Sequence, residues 1–276
     1  MTLVGLVELH VHTSPDVRAR SCDDLELARE AQRVGARAVV IKSHHMLTAD
    51  RAIVAGTVAP QVKVFGGVTL NPSVGGLNPA AVEVALKLAG KIVWLPTLFA
   101  VRHRRMEGKS GGVIVVDNGR VVPAAREIFQ QVAAAHAILA TGHQSADEIA
   151  IIVREAWEQG VRKILINHPE HAVVGMTIDQ QRELRREFPV YFERCYAQPG
   201  SPKGVYNLNH EQNLRAIEAL GIESTILASD AGQIENPPWA ECWERTCEWF
   251  LAHGLRETQL REMMMKTPAR LLGLDA

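Results

Sequence analysis

The chain has 276 residues, of which 47% are hydrophobic and 22% charged, and its formal net charge is -1 at pH 7. This balance is typical of an ordinary globular protein, and without a polybasic tract we expect no nucleic-acid partner. The four cysteines, Cys22, Cys195, Cys242 and Cys247, show no CxxC spacing, which favours reduced thiols and a cytoplasmic location. The opening MTLVGLVELH fits neither a signal peptide nor a membrane span, so we expect no membrane partner.

Eight short apolar runs alternate with longer segments of helical period, which predicts a parallel sheet with crossover helices. They are LVGLVELH near residue 3, ARAVVIK near 36, VKVFGGVTL near 62, KIVWLPT near 91, AHAILAT near 135, RKILIN near 162, PVYFERC near 189 and STILAS near 224. Eight strand-helix units predict an α/β protein with a (β/α)8 TIM barrel. A barrel can have this length as one domain, so we expect a single domain over residues 1–276.

Local signals predict where helices begin and end. Ser21, Asn78 and Ser145 stand where a helix N-cap is expected, and Ser145 has Glu148 three residues later, as in a capping box. Glycines are predicted to end the helices that precede strands, at Gly35, Gly90, Gly160 and Gly221. The unit strand, loop, helix and glycine thus repeats along the chain.

One stretch departs from that repeat. In GGVIVVDNGRVVP, residues 111–123, the pair Asn118-Gly119 lies between two valine-rich runs. Asn-Gly is a strong signal for a tight turn between antiparallel strands. We therefore expect a small β-hairpin inserted after strand four.

Histidines and a carboxylate occur where the predicted strands end. They are His10 and His12 on strand one, His44 and His45 on strand two, His143 on strand five, His168 on strand six and Asp230 on strand eight. In a (β/α)8 barrel the carboxyl ends of all strands meet at one mouth, so these side chains would become neighbours. His10 and His12 are two residues apart, which directs both to the same side of a strand.

Neutral imidazole and carboxylate groups are ligands for Zn, Mn, Fe or Ni, and a catalytic site keeps a further position for water. The set predicts one or two divalent ions, with Zn favoured, and the alternative is a polar lining without metal. Asp230 is the candidate base, although plain ligation or helix capping would use the same carboxylate.

The motifs ELHVHTSPD, TGH, NHPEH and ASDAGQ, in this order, resemble the amidohydrolase superfamily of metal-dependent hydrolases. More narrowly, the stretches KSHH, FGGVTLN, GGLNP, LPT and SDAGQ resemble an uncharacterised group of that superfamily, over nearly the whole chain. The resemblance implies a TIM barrel in which His10, His12, His143, His168 and Asp230 surround the metal site.

The chain departs from the superfamily pattern at strand four, which ends WLPT instead of carrying a bridging carboxylated lysine or glutamate. Lys42 on strand two or Glu193 on strand seven could take that place, or the site holds one ion. An interior Lys42 would also suit an anionic substrate, whereas an outward Lys42 would only lie between helices. If Lys42 enters the mouth, His44 should follow it by alternation.

Other polar residues have weaker signals. Glu193 is a candidate to bind either a metal-ligating histidine or the substrate, and the alternative is a pair with Arg194 or another surface cation. Asn71 and Thr97 end strands three and four, where they could bind substrate or cap turns. The cluster RHRRMEGKSGG, residues 102–112, is interpreted as a solvated loop. His171 and His210 receive no role.

These patterns favour a metal-dependent hydrolase that acts on a small-molecule amide, lactone, ester or phosphoester. Two alternatives stay open: a metal-dependent decarboxylase of a small carboxylic acid, and a barrel that binds a metabolite without turnover. The expected partner is a small-molecule substrate; whether it is anionic, and whether the chain forms a homo-oligomer, is left open.

Overall fold

The computed structural model describes residues 1–199 and 206–274 and shows parallel strands surrounded by helices. Its strands are β1 (Val7–His12), β2 (Ala38–Lys42), β3 (Lys63–Phe65), β4 (Gly67–Thr69), β5 (Ile92–Trp94), β6 (Val116–Asp117), β7 (Arg120–Val121), β8 (Ile138–Ala140), β9 (Ile164–Ile166), β10 (Tyr191–Cys195), β11 (Ala197–Pro199), β12 (Tyr206–Leu208) and β13 (Thr225–Ala228). Its helices are α1 (Asp24–Arg33), α2 (Ala49–Gly56), α3 (Pro79–Lys87), α4 (Val101–Met106), α5 (Pro123–Ala134), α6 (Ala146–Glu158), α7 (Ile178–Glu187), α8 (His210–Leu220), α9 (Trp239–Ala252), α10 (Glu257–Arg261) and α11 (Thr267–Leu272). A 3-10 turn covers Pro72–Val74, and a π-helical turn covers Glu262–Lys266.

The parallel strands form two hydrogen-bonded runs, β1-β2-β3 and β4-β5-β8-β9-β10-β13. β3 and β4 are two pieces of the third predicted strand, on either side of Gly66. A parallel bridge joins Val11 of β1 to Ala231, and the Asp230 amide donates to the His10 carbonyl oxygen at 2.9 Å. These contacts bring the first strand to the end of the last one. The (β/α)8 barrel predicted from the sequence is confirmed.

Two of the three predicted helix caps are confirmed. Ser145 and Glu148 form the capping box of α6, and the Asn78 side chain accepts from the first amides of α3. The prediction for Ser21 was wrong, because the Ser21 amide donates to the Gly232 carbonyl oxygen in the adjoining loop, and Asp23 caps α1 in a box with Glu26.

Helix ends follow the glycine pattern with one exception. Gly35, Gly160 and Gly221 have positive φ angles, whereas at the end of α3 the positive φ falls on Ala89 instead of the predicted Gly90. A β-carbon at Gly90 would lie 2.6 Å from the Ala85 carbonyl oxygen, so glycine is required there by close approach.

A two-stranded antiparallel pair, β6 with β7, follows α4 and therefore comes after the fourth barrel strand. Asn118 and Gly119 connect its strands with φ angles of 47° and 74°. Positive φ at both central residues is the requirement of a type I′ turn, which asparagine and glycine satisfy at low cost.

Apolar side chains fill the barrel interior and the layer between strands and helices. The interior cluster includes Val7, Leu9, Val40, Ile92 and Leu165, all fully buried. α6 shows how a helix joins the outer layer, since Ile149, Ile152, Val153 and Ala156 recur at helical spacing on its buried face. Among the residues described, every helix is too short or too polar to cross a bilayer. That residues 1–276 form one domain stays a prediction.

Candidate metal centre at the barrel mouth

His10 and His12 lie at the carboxyl end of β1, and both rings face the carboxylate of Asp230. His10 Nε2 is 3.0 Å and His12 Nε2 is 3.2 Å from the same atom, Asp230 Oδ1, and the two Nε2 atoms are 3.3 Å apart. A tetrahedral ion with metal–nitrogen distances of about 2.1 Å separates its ligand atoms by about 3.4 Å. These three donor atoms therefore fit around one divalent cation.

A β-bulge in β1 directs His10 to the mouth. Glu8 pairs with Val39 and Val11 pairs with Ile41, so two residues of β1 oppose one residue of β2. A bulge changes the direction of the side chains that follow it and leaves an amide unpaired. Because of it, Glu8 points outward to the helical layer while His10, two residues later, points into the mouth.

Glu8 satisfies the amide that the bulge releases. Its carboxylate is fully buried and accepts the His10 amide at 2.8 Å, the Ser229 amide, and the indole N–H groups of Trp239 and Trp243 at 3.0 and 2.9 Å. Trp239 and Trp243 belong to the buried face of α9. Glu8 thus ties β1, the end of β13 and α9 together beneath the two histidines.

A second carboxylate orients the His10 ring. Glu193 Oε2 lies 3.1 Å from His10 Nδ1 and accepts from the Asn167 side chain at 2.8 Å. A proton on Nδ1 leaves the Nε2 lone pair directed toward Asp230, the arrangement common to metal-binding histidines. Burial opposes charge on this ring, but Asp230 and, more weakly, Glu193 raise the pKa of His10 to about 9. The electrostatic field there favours a cation.

Lys42 enters the mouth, which excludes the alternative that it faces outward. The side chain is fully buried, and Nζ lies 2.9 Å from His10 Nε2 and 5.4 Å from the centre of the Trp94 ring. Burial lowers the pKa of Lys42, and the nearby carboxylates of Asp230 and Glu193 oppose that shift. His44 enters the mouth as well, and its ring stacks on His12 with 4.7 Å between centroids.

Asn71 and Thr97 hold His44 in place. Thr97 Oγ1 lies 2.8 Å from His44 Nδ1 and accepts from Asn71 Nδ2 at 2.8 Å. Asn71 also donates to the His44 carbonyl oxygen and accepts the Thr97 amide. With both side chains fully buried, these contacts support the turn-capping interpretation more than substrate binding.

His143 and His168 form a neighbouring group of imidazoles. Their ring centroids are 5.0 Å apart, and His168 is 6.2 Å from the His10 ring. Burial lowers the pKa of both well below the usual value, which keeps them in the neutral form that binds metals. His168 Nδ1 is buried without a hydrogen-bond partner.

Two further histidines in this group were missed from the sequence. His103 Nδ1 lies 2.8 Å from His143 Nδ1, and the His171 ring is 5.3 Å from that of His168. His103 is buried on α4, so the solvated-loop interpretation of residues 102–112 fails for this residue. The signal for His171 was its spacing of three residues from His168 in NHPEH.

The backbone at the mouth is strained. His168 and Asp230 have φ angles of 27° and 47°, in the left-handed region that residues other than glycine rarely adopt. Strained residues persist where the surroundings fix them, and they concentrate at functional sites. Gly232, after Asp230, has a φ of 108°, and a β-carbon there would lie 1.8 Å from the His12 carbonyl oxygen. Only glycine allows the loop after Asp230 to approach the end of β1 so closely.

The (β/α)8 barrel that the resemblance to the amidohydrolase superfamily implies is confirmed. A family model described as "Family of unknown function (DUF6282)" matches residues 5–193, so the chain belongs to that family. No curated protein is significantly similar to the chain.

Solved structures share the barrel at low sequence identity. A Pseudomonas putida protein described as a 2-pyrone-4,6-dicarboxylic acid hydrolase is 19% identical with a TM-score of 0.64, and the match covers 99% of each chain. A 2,6-dihydroxybenzoate decarboxylase from Rhizobium is 14% identical with a TM-score of 0.59, over 99% of this chain and 100% of that one. An organophosphorus hydrolase from Deinococcus radiodurans is 14% identical with a TM-score of 0.61, over 98% and 93%. Both hydrolysis and decarboxylation thus occur on this fold.

Proposed function

We propose that the protein is a metal-dependent hydrolase of the amidohydrolase type that acts on a small-molecule amide, lactone, ester or phosphoester. One observation carries the proposal: Asp230 Oδ1 lies within 3.2 Å of the Nε2 atoms of both His10 and His12. These three side chains would hold a divalent ion, which lowers the pKa of bound water and polarises the substrate oxygen. We favour zinc for this ion.

Asp230 is the group that we propose to move the proton. Its side chain is 14% exposed, whereas the His10 and His12 side chains are 1% exposed, so the carboxylate faces the open side of the centre. Burial would raise its pKa, but the charge and hydrogen bond of His10 hold that pKa well below the usual value. The carboxylate is therefore ionised, which is the form that a proton acceptor requires.

His143 and His168 complete the proposed ligand set, which admits one ion or two. Lys42 cannot stay an ammonium beside a second ion, because like charges repel at short range in a buried site. Lys42 would bridge two ions as a carbamate, formed when its neutral amine adds CO2 and releases a proton. With a single ion it would instead face an anionic group of the substrate. Glu193 acts through the His10 ring in either case.

Decarboxylation of a small carboxylic acid is the second candidate. The observation that favours it is the fully buried amine of Lys42 beside His10, since a buried cation is suited to a carboxylate substrate. The Rhizobium decarboxylase shows that the fold supports such a reaction. Release of CO2 from a substrate would identify this activity.

Elemental analysis joined to an activity screen over lactones, cyclic amides, phosphoesters and small carboxylic acids tests the proposal. Wild type should bind at least one divalent ion and turn over one of these classes, and His12→Ala should lose both properties. His143→Ala should bind less metal. A wild type without metal would overturn the proposal, and unaltered binding of a metabolite would assign a binding protein. Location in the cytoplasm stays a prediction, and self-association stays open.

A further inference from the structure

Cys195 faces the mouth from β10. Side chains alternate along a strand, so Glu193 and Cys195 share a face, and Glu193 is the residue whose carboxylate contacts the His10 ring. Arg194, between them, faces the other way and pairs with Glu170 and Gln181. Cys195 therefore lies at the carboxyl end of its strand and on the inner side of the barrel.

The thiol lies next to two of the proposed metal ligands. One ligand atom each from His10, Cys195 and Asp230 can be chosen so that all three lie within 4.8 Å of one another. Zinc–sulfur and zinc–nitrogen distances of about 2.3 and 2.1 Å place tetrahedral sulfur and nitrogen ligands about 3.6 Å apart. Binding a shared ion would thus move the sulfur by no more than about 1.2 Å.

A second observation points to a ligand here. Glu193 Oε1 is fully buried and has no hydrogen-bond partner, although the other oxygen of the same carboxylate contacts two groups. A buried carboxylate oxygen without a partner is costly, and a nearby cation removes that cost. The inner face of β10 thus carries an unpaired carboxylate oxygen two residues before Cys195.

The other buried cysteines provide a contrast. Cys242 and Cys247 lie within the apolar layer around α9, where the Cys242 thiol donates to the Pro237 carbonyl oxygen and the Cys247 sulfur contacts that of Met264. Cys195 instead lies beside His10 and Asp230, two of the proposed metal ligands. A thiol that only fills space favours an apolar environment such as that of Cys242 and Cys247.

We propose that the Cys195 thiolate is a ligand of the ion held by His10 and Asp230, and that it makes the centre selective for thiophilic ions such as Zn²⁺. The inference rests on the proposed metal centre and deepens it by naming the class of ion. As the metal–sulfur bond forms, the S–H bond breaks and its proton passes to solvent. Thiolate ligands favour Zn²⁺ or Co²⁺ over Mn²⁺ and Mg²⁺, which prefer oxygen ligands.

Absorption spectroscopy of the full-length protein loaded with Co²⁺ tests the ligand directly. Wild type should show a thiolate-to-cobalt charge-transfer band in the near ultraviolet, and Cys195→Ala and Cys195→Ser should both lack it. Zn²⁺ affinity should fall at least about 100-fold in Cys195→Ala, beyond the usual loss for residues that only orient a ligand. Mn²⁺ affinity should change less.

Cys242→Ala and Cys247→Ala are the matched controls, and both should keep the band. A band that persists in both Cys195 variants, or cobalt bound by wild type without any such band, would overturn the thiolate ligand and leave the proposed hydrolase untouched. Wild type that binds neither Co²⁺ nor Zn²⁺ would overturn the metal centre itself. Circular dichroism of each variant shows whether a lost band reflects a lost fold.

Discussion

The two ends of the same barrel strands differ in what they bury. Toward the amino end the interior holds side chains such as Leu9, Val40, Ile92 and Leu165, which pack without polar atoms. At the carboxyl end, Lys42, Asn71, Thr97 and Glu193 are equally buried but polar or charged. Apolar burial stabilises the fold, whereas buried polar groups cost free energy unless they are paired.

At the mouth, some of the buried polar atoms have no hydrogen-bond partner. Glu193 Oε1 and His168 Nδ1 have no hydrogen-bond partner, although both are buried. Unpaired buried atoms also occur elsewhere, as at Ser224, but these two belong to the group of side chains that a bound ion or substrate would contact. Substitutions at the two ends should therefore have different consequences.

The largest effect on stability is expected in the packed half. Ile92→Ala should lower the free energy of unfolding by about 2–5 kcal/mol, because a fully buried side chain is lost and a cavity remains. Denaturant titration measures the change, and Ile53→Ala on the exposed face of α2 is the control, with about 0.5 kcal/mol or less expected. A loss below about 1 kcal/mol for Ile92→Ala would break the comparison.

Glu8 lies between the apolar interior and the mouth, and its substitution should lower both the stability of the fold and the affinity for metal. Glu8→Gln should lower the free energy of unfolding by about 1–3 kcal/mol, because an amide group cannot accept all four hydrogen bonds that the carboxylate receives. It should also weaken metal binding by about 10–100-fold through the position of His10. Calorimetric metal titration separates the two effects, and the exposed variant Glu223→Gln should show neither. Unchanged metal affinity would limit Glu8 to a structural role.

Within the mouth, the effect on function should exceed the effect on stability. Asp230→Asn keeps the shape and tolerates the left-handed backbone, so the metal-free protein should stay folded although its ion pair with His10 is lost. Turnover should fall by about 100- to 10,000-fold because the proton acceptor is lost. Steady-state kinetics on the substrate found by screening checks this. Wild-type turnover in Asp230→Asn would remove the residue from the mechanism.

The last effect appears only at acid pH and concerns His210, an imidazole buried away from the mouth between Trp249 and Phe250. Burial lowers the pKa of His210 from 6.5 to about 4, so the unfolded chain binds its proton first as the pH falls. The neutral ring contributes fully to the free energy of unfolding above about pH 6.5, and this contribution is lost as the pH falls toward 4. The unfolding free energy of His210→Phe should fall less than that of wild type over this range. Parallel curves would contradict the assignment.

The sequence predicts those parts of the site that depend on local pattern. Strand period and strand-end residue types were sufficient for the barrel and for placing His10, His12 and Asp230 at one mouth. Glu8 could not be found in this way, because alternation places it on the same face as His10, and the bulge that separates them arises from pairing with β2. Cys195 has no sequence signal either, since only the neighbouring strands determine what surrounds it.

His103 was missed for a related reason. A run such as RHRR is usually a solvated surface, and of the residues in α4 only His103 is buried. The structure instead folds residues 101–106 as a helix, which buries one ring against His143. Which member of a charged run turns inward depends on helix packing that no local rule determines.

The closure of the barrel has a practical consequence for anyone who shortens this protein. The span by which the family is recognised ends at residue 193, inside β10, whereas the partners of Glu8 and the aspartate of the proposed centre lie at residues 229–243. A fragment limited to that span would expose two unpaired strand edges, which invite aggregation. Expression designs should therefore retain α9, even though it contributes no side chain to the mouth.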